Sequence, residues 1–351
     1  MNHPRNLGVG LVVGLSGIVA LTGCGPQETS QPAASVSYDC AKPTAPAQPI
    51  HVTFAANAIV SNGAVYAGLK EGLFQKQGLD IEIQPVANVA AAISSVQGGT
   101  TNFGFATSVS LFQAIDSGVP ISVVAPFAGI APNYYDNMKK GVDGYTTEVT
   151  ALVAAPGKNI NAVADLAGKT VAVADARGQS ELTTRYVVKE AGVDPDSVKY
   201  TVMSFPDSLN AFKAGQVDAI FSVDPFLKQA TDAGGKIISW PGVETFHDGP
   251  TSAIIASNDY IKSEPEIVAR FTCAVQASNE FANANPDAVR SATAEAQKVD
   301  PATLAKAKVP YFYATADLEG MKRFVGIMRD ADFITTDVDL ETVVLPRALA
   351  K

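Results

Sequence analysis

Two hydrophobic rhythms take turns along the first third of the chain. Residues 51–56 read as a strand, after which Val65, Leu69, Leu73 and Phe74 recur at helical spacing until Gly78 stops the run. Residues 80–86 alternate polar and apolar side chains as a second strand, 89–96 are helical, and 102–106 form a third strand. A helix over 111–115 and a strand over 121–125 follow. Beyond a loop rich in Tyr, Asn and Gly the same alternation restarts at 149–154. Strands that alternate with helices predict an α/β fold of mainly parallel layers with crossover helices.

The pattern repeats internally. Aligning Gly99 with Gly215 lays residues 96–105 over residues 212–221, each a helix end, a Gly stop, a turn and a buried strand. Carried three residues further, the alignment pairs Ser108 with Asp224. A similar offset relates residues 76–80 to 190–194. Two lobes of like topology would present matching strand ends, and in open α/β sheets ligands sit outside those carboxyl ends. Two unrelated βα units share the same pattern, so the repeat stands as one of two readings.

Composition narrows the class. The 351 residues are 47% hydrophobic and 17% charged, which excludes a disordered tail, a disulfide-dense miniprotein and a polytopic membrane protein. The length suits two structural units. With 26 Lys+Arg against 35 Asp+Glu, the net charge of -9 lacks the basic face that nucleic acid demands.

The first segment reads as an address. Arg5 precedes an apolar run over 7–21, too short for the roughly 20 residues of a spanning helix but suited to a signal-peptide core. The run ends in Leu21-Thr22-Gly23-Cys24, which resembles the lipobox of bacterial lipoproteins. That resemblance implies removal of residues 1–23, a lipid on Cys24, and an exported protein anchored at the outer face of the cytoplasmic membrane. Residues 24–49, rich in Pro, Ala, Ser, Thr and Gln, read as a flexible tether. With Cys24 lipidated, Cys40 and Cys273 remain as an even pair in an oxidising compartment. A disulfide between them and a Cys273 that is simply a buried small hydrophobe on a helix around 269–281 both fit.

A family likeness then emerges from several segments in order. The run from Ala64 to Glu82, holding Lys70-Glu71-Gly72-Leu73-Phe74 and Gly78-Leu79-Asp80, is followed by Asp165-Leu166-Ala167-Gly168-Lys169-Thr170-Val171, then Ala214-Gly215-Gln216-Val217-Asp218-Ala219, then Asp224-Pro225-Phe226. Together they resemble the nitrate, sulfonate and thiamine-pyrimidine family of ABC-transporter substrate-binding proteins, over roughly residues 50 to 300. The resemblance implies a two-lobed periplasmic-binding-protein fold of type II, each lobe a mainly parallel sheet flanked by helices. Lobe one would combine 50–126 with 252–351, lobe two would span 150–246, and 127–149 and 247–251 would cross between them. It further implies a monomer that closes on a small polar organic solute of the sulfonate, nitrate, pyrimidine or related heteroaromatic class. Its partners would be an ABC permease and its ATPase. A solute sensor subunit and an exported enzyme on the same scaffold are the alternatives.

Enzyme signatures are absent from the sequence. After export only His51 and His247 remain, and no His-Glu-x-x-His, Gly-x-Ser-x-Gly or Cys-x-x-Cys pattern occurs. Gly168-Lys169-Thr170 imitates a Walker A ending, but Val163 stands where the motif needs Gly. No catalytic residue, metal or cofactor is expected. Candidate ligand contacts lie after strand ends: Asn57 and Asn62, Thr107 and Ser108, and the turn Arg177-Gly178-Gln179-Ser180. That turn opens a helix, so its free N–H groups and Arg177 suit an anion; alternatively Ser180 caps the helix and Arg177 is a solvated charge. Asp175 and Glu181 oppose a strongly anionic pocket. Asp224 either accepts a solute N–H or starts the turn at Pro225. Phe127 and Phe226 offer stacking surface or pack the lobes.

Overall fold

The computed structural model describes residues 37–145 and 149–349; the signal stretch and Cys24 lie outside them. Four strands come first, β1 (Ile50–Ala56), β2 (Leu79–Pro85), β3 (Phe103–Thr107) and β4 (Ile121–Pro126). A short β5 (Ala128–Ile130) leads away to β6 (Thr150–Ala154), β7 (Thr170–Val173), β8 (Lys199–Val202), β9 (Ala219–Val223) and β10 (Lys236–Ser239). The chain returns through β11 (Gly249–Pro250) to β12 (Ser252–Ser257), and β13 (Tyr311–Phe312) comes last. They form sheets of order β2-β1-β3-β12-β4 and β10-β6-β9-β7-β8, with a third, small sheet β11-β5-β13.

The second sheet, read backwards, repeats the first position for position, β8 standing for β2 and β6 for β12. Aligning Gly99 with Gly215 lays β3 on β9 end to end, and both glycines hold the left-handed conformation, φ 70° and 68°, that ends the preceding helix. Sequence periodicity predicts mainly parallel sheets, yet β12 runs antiparallel to β3 and β4, and β6 antiparallel to β9 and β10. Each is the first strand after a crossing. A chain that arrives from the other lobe enters at the strands' carboxyl ends, so it must run against its neighbours.

Burial on both faces explains the apolar strands. Val52, Phe54, Phe103, Phe105, Ile254 and Ala256 fill one face of the first sheet under the helices Gly63–Lys70, Pro265–Ala284 and Pro286–Gln297. Ala253 and Ile255 point to the other face, where Phe324 and Met328 of the helix Leu318–Asp330 pack. Phe103 stacks on Phe271 at 3.7 Å between centroids. Each Val, Ile, Phe or Met side chain removed from water contributes about 1.5–3 kcal/mol.

Residues 37–49, expected to be part of a free tether, instead form a strap against the first lobe. Arg270, only 3% exposed, holds it: one guanidinium nitrogen donates to Thr44 O at 2.7 Å, Gln77 O at 2.9 Å and Tyr38 Oη at 3.3 Å. Arg347 donates to Tyr38 O at 3.0 Å. A disulfide joins Cys40 to Cys273, Cα–Cα 5.4 Å, across 233 residues.

The small sheet carries the two crossings. The Tyr313 hydroxyl donates to Ile130 O at 2.6 Å and accepts from Gly249 N–H at 2.7 Å, riveting β5 to β11. Asn279, fully buried, donates from its amide to Pro126 O and Tyr313 O. His247 stands in the returning crossing at φ 58°, stacked on Tyr135 at 4.0 Å. Burial and the neighbouring Arg323 hold its imidazole below the usual range.

Candidate functional site: the cleft between strand ends

The candidate residues follow the carboxyl ends of β1, β3, β7 and β9. After β1, Asn62 donates to Asn57 O at 2.8 Å and Asn57 Oδ1 at 3.1 Å, while the Tyr66 hydroxyl donates to Asn57 O at 3.0 Å. Asn62 is fully buried and its Oδ1 has no partner. After β3, Thr107 caps the helix Ser108–Asp116 by accepting from Ser110 N–H.

Two candidates take structural roles instead. Ser108 is 3% exposed, its hydroxyl donating to Pro250 O at 3.1 Å and its N–H to Thr251 O at 2.9 Å. It ties the first lobe to the returning crossing, and its donor is already committed. Phe127 is wholly buried between Phe105 and Phe312, at 6.1 and 5.6 Å between centroids, out of reach of any solute. Phe226 is half-buried and stacks on Phe205 at 6.0 Å.

The turn after β7 is folded around its own carboxylates. Ser180 N–H and hydroxyl both donate to Asp175 Oδ1, and Ser180 Oγ accepts from Ala174 N–H at 3.0 Å. Glu181 accepts from Arg177 N–H at 2.7 Å. A Cβ on Gly178 would meet the Asp175 carboxylate at 2.0 Å, so only glycine permits this closure. The helix start expected to attract an anion thus already holds two carboxylates, one of which, Glu181, is paired with Arg185 at 2.7 Å. Arg177, at φ 52°, turns its guanidinium to Asp332 O and over the Phe333 ring at 4.8 Å. Its carbonyl accepts from Gln113 at 2.8 Å.

After β9, the Asp224 carboxylate accepts from Lys228 N–H at 3.3 Å and from the backbone N–H of Lys308. Burial pushes its carboxyl above the usual carboxylate range, against the pull of those two N–H groups. Lys308 precedes β13, so this bond joins the second sheet to the first lobe's returning segment, as Arg177 does elsewhere. Sequence reasoning missed Lys308, Gln113, Asp332, Phe333 and Tyr313. The segment around Lys308 has no periodicity, and a backbone donor leaves no trace in residue type. A cavity of about 250 Å³ opens beside this contact, bounded by Ile130, Tyr134, Asn283, Lys308 and Tyr311.

A model of the family described as NMT1/THI5 like matches residues 61–135 and 138–289, and the chain belongs to that family. A Brucella abortus (strain 2308) protein bearing the name "Putative binding protein" is 24% identical over 237 residues, 67% of this chain and 67% of its own. Among solved structures, the periplasmic aliphatic sulphonate binding protein SsuA from Escherichia coli aligns with TM-score 0.65 at 14% identity, over 84% of this chain and 92% of that one. The periplasmic nitrate-binding protein NrtA from Synechocystis PCC 6803 aligns with TM-score 0.65 at 12% identity, over 86% and 87%. The desulfurization enzyme DSZB aligns with TM-score 0.60 at 14% identity, over 85% and 97%. The chain therefore has the two-sheet α/β fold of the periplasmic binding proteins, a fold that at least one enzyme shares.

Proposed function

We propose that this protein is an extracytoplasmic solute-binding lipoprotein that captures a small polar organic solute by lobe closure and hands it to an ABC importer. The reading puts 50–126 and 252–351 in lobe one and 150–246 in lobe two. One observation supports it: two sheets of the same topology are joined by a riveted pair of crossings, the hydrogen bonds from the strand-end turns of the second run through Arg177 and Asp224, and Leu182, Val243 and Phe246 pack against the first lobe. Such an arrangement opens and closes about the crossings, and a solute that prefers the closed form shifts the balance. Cleft candidates are Asn57, Asn62, Thr107, Gln179 and Asp224.

Calorimetry on the mature chain, paired with small-angle scattering, tests the reading. A solute that binds one to one and shrinks the radius of gyration supports it; binding with steady turnover supports the enzyme alternative instead. Anchoring by Cys24 is tested by Cys24→Ser, which should move the protein out of the membrane fraction.

A further inference from the structure

The two crossings meet again beyond the small sheet, at a residue whose backbone is under strain. His247 ends the helix Pro241–Phe246 at φ 58° and ψ -72°, close to the rare form of γ-turn that residues with a Cβ resist. One guanidinium grips the chain on both sides of it. Arg323, on the helix Leu318–Asp330, donates to Phe246 O, to Asp248 O at 2.7 Å and to Asp248 Oδ1 at 3.4 Å. The outgoing crossing supplies the other partner, the Tyr135 ring of the helix Tyr134–Lys139, which lies 4.0 Å from the imidazole with an angle of 4° between the planes. Asn133 N–H, just before that helix, donates to Asp248 Oδ2 at 3.4 Å. His247 therefore sits where the first lobe, the outgoing chain and the returning chain are fastened together.

A proton on His247 would enter a space that already holds positive charge. Arg323 touches both neighbours of the ring, and Lys139 Nζ, 5.1 Å from the centroid of Tyr135, already shares that ring's attraction for a cation. The carboxylates of Asp248 and Asp136 pull the other way, but Asp248 is spent on Arg323 and Asn133. Tyr186 and Glu244 also stand near Arg323: burial keeps the phenol protonated, and the carboxylate accepts from the Ser239 hydroxyl and Trp240 N–H, both at 2.8 Å. We infer that this junction is a proton-sensitive hinge, in which protonation of His247 loosens its stack on Tyr135 and shifts the two lobes toward an arrangement that frees the ring to water. The sign follows from burial and Arg323, which hold the packed imidazole below its ordinary range. Above that range the ring is neutral in either arrangement and the balance is unaffected. As pH falls through it, the freed arrangement takes up a proton that the packed one refuses, and the gain levels off once the packed ring is protonated too. The inference rests on the proposed lobe motion and on no particular solute.

The test is a distance measurement by pulsed electron spin resonance on the mature chain carrying Cys24→Ser, without solute. Spin labels go on Ser117→Cys in the first lobe and Lys213→Cys in the second, both exposed positions. Between about pH 8 and about pH 5 the population at the longer separation should rise about threefold or more, with the midpoint that NMR records for the His247 imidazole. His247→Phe keeps an aromatic ring on Tyr135 and cannot titrate, so its distances should not change over that range, whereas His51→Gln should respond as the parent does. Arg323→Gln removes the neighbouring cation and should move both the NMR midpoint and the distance midpoint to higher pH. A parent that does not respond, a response that survives in His247→Phe, or a distance midpoint that departs from the His247 resonance overturns the inference. If His247→Phe fails to fold, the paired midpoints in the parent and in Arg323→Gln decide the matter. Because no solute enters the measurement, its failure leaves the solute-binding reading to its own calorimetric test.

Discussion

Replacing Arg177 by Ala isolates the contribution of lobe-to-lobe contact from that of the solute. Its guanidinium donates to Asp332 O and covers the Phe333 ring. A charged hydrogen bond contributes about 1.5–3 kcal/mol and an exposed cation–π contact about 0.5–1 kcal/mol. Arg177 is exposed, so solvent screening reduces their sum to about 1.5–2 kcal/mol. If that stabilisation belongs to the closed form alone, Arg177→Ala should raise Kd about 10- to 30-fold, and chiefly through faster dissociation. If the guanidinium serves only Asp332 O and the Phe333 ring, the factor should be the same for every solute that closes the cleft. Arg177→Gly should lose the same affinity yet unfold at a higher temperature than Arg177→Ala, since glycine relieves roughly 1 kcal/mol of backbone strain at φ 52°. Stopped-flow dissociation rates with two chemically different solutes provide the assay. A factor that differs between solutes, or a Kd that does not move, would refute the reasoning and return Arg177 to the binding site.

Three further outcomes follow from the packing. Phe127→Ala should cost about 3–5 kcal/mol in urea unfolding, while affinity per folded molecule stays at the wild-type value, because the ring lies in the core. The Asp116 carboxyl is held below its ordinary range by the Thr336 hydroxyl, with further bonds from Thr335 and the backbone. The stabilisation this provides is fully present above the ordinary carboxylate pKa and is lost as pH falls through the lowered one, so Asp116→Asn should flatten the acid limb of a stability–pH profile. Reducing the Cys40–Cys273 bridge should cost about 2–4 kcal/mol, and Arg270→Met should add less in the reduced protein than in the oxidised one, since both hold the same strap.

Local signals carried the α/β alternation and the Gly99–Gly215 repeat, because helix stops and buried strands write themselves into neighbouring residues. Strand direction did not: β6 and β12 have the same apolar texture as β9 and β3, and their reversal follows from where the chain enters each lobe. The strap was hidden for a similar reason. Residues 37–49 look like any Pro-rich linker, and what fastens them, Arg270 and Cys273, lies far along the chain on the helix Pro265–Ala284. Among the candidate residues, residue type located Asp224 and the Arg177 turn at strand ends, but not which way their side chains turn. Thus Ser108 and Phe127 read as surface that meets a solute, although tertiary packing spends both on the crossing and the core.

The strap and the last helix, Pro346–Leu349, meet where Arg347 bonds Tyr38 O, so both ends of the described chain sit on the same lobe. On the proposed lobe closure, neither end would travel relative to the other. A pair of fluorescent reporters fused to the two ends would therefore be blind to solute, whatever its affinity. The same closeness of ends favours circular permutation. A permutant joined there and reopened in the exposed turn at Asp143-Gly144 would place one reporter on the path into the second lobe and turn its motion into an optical signal.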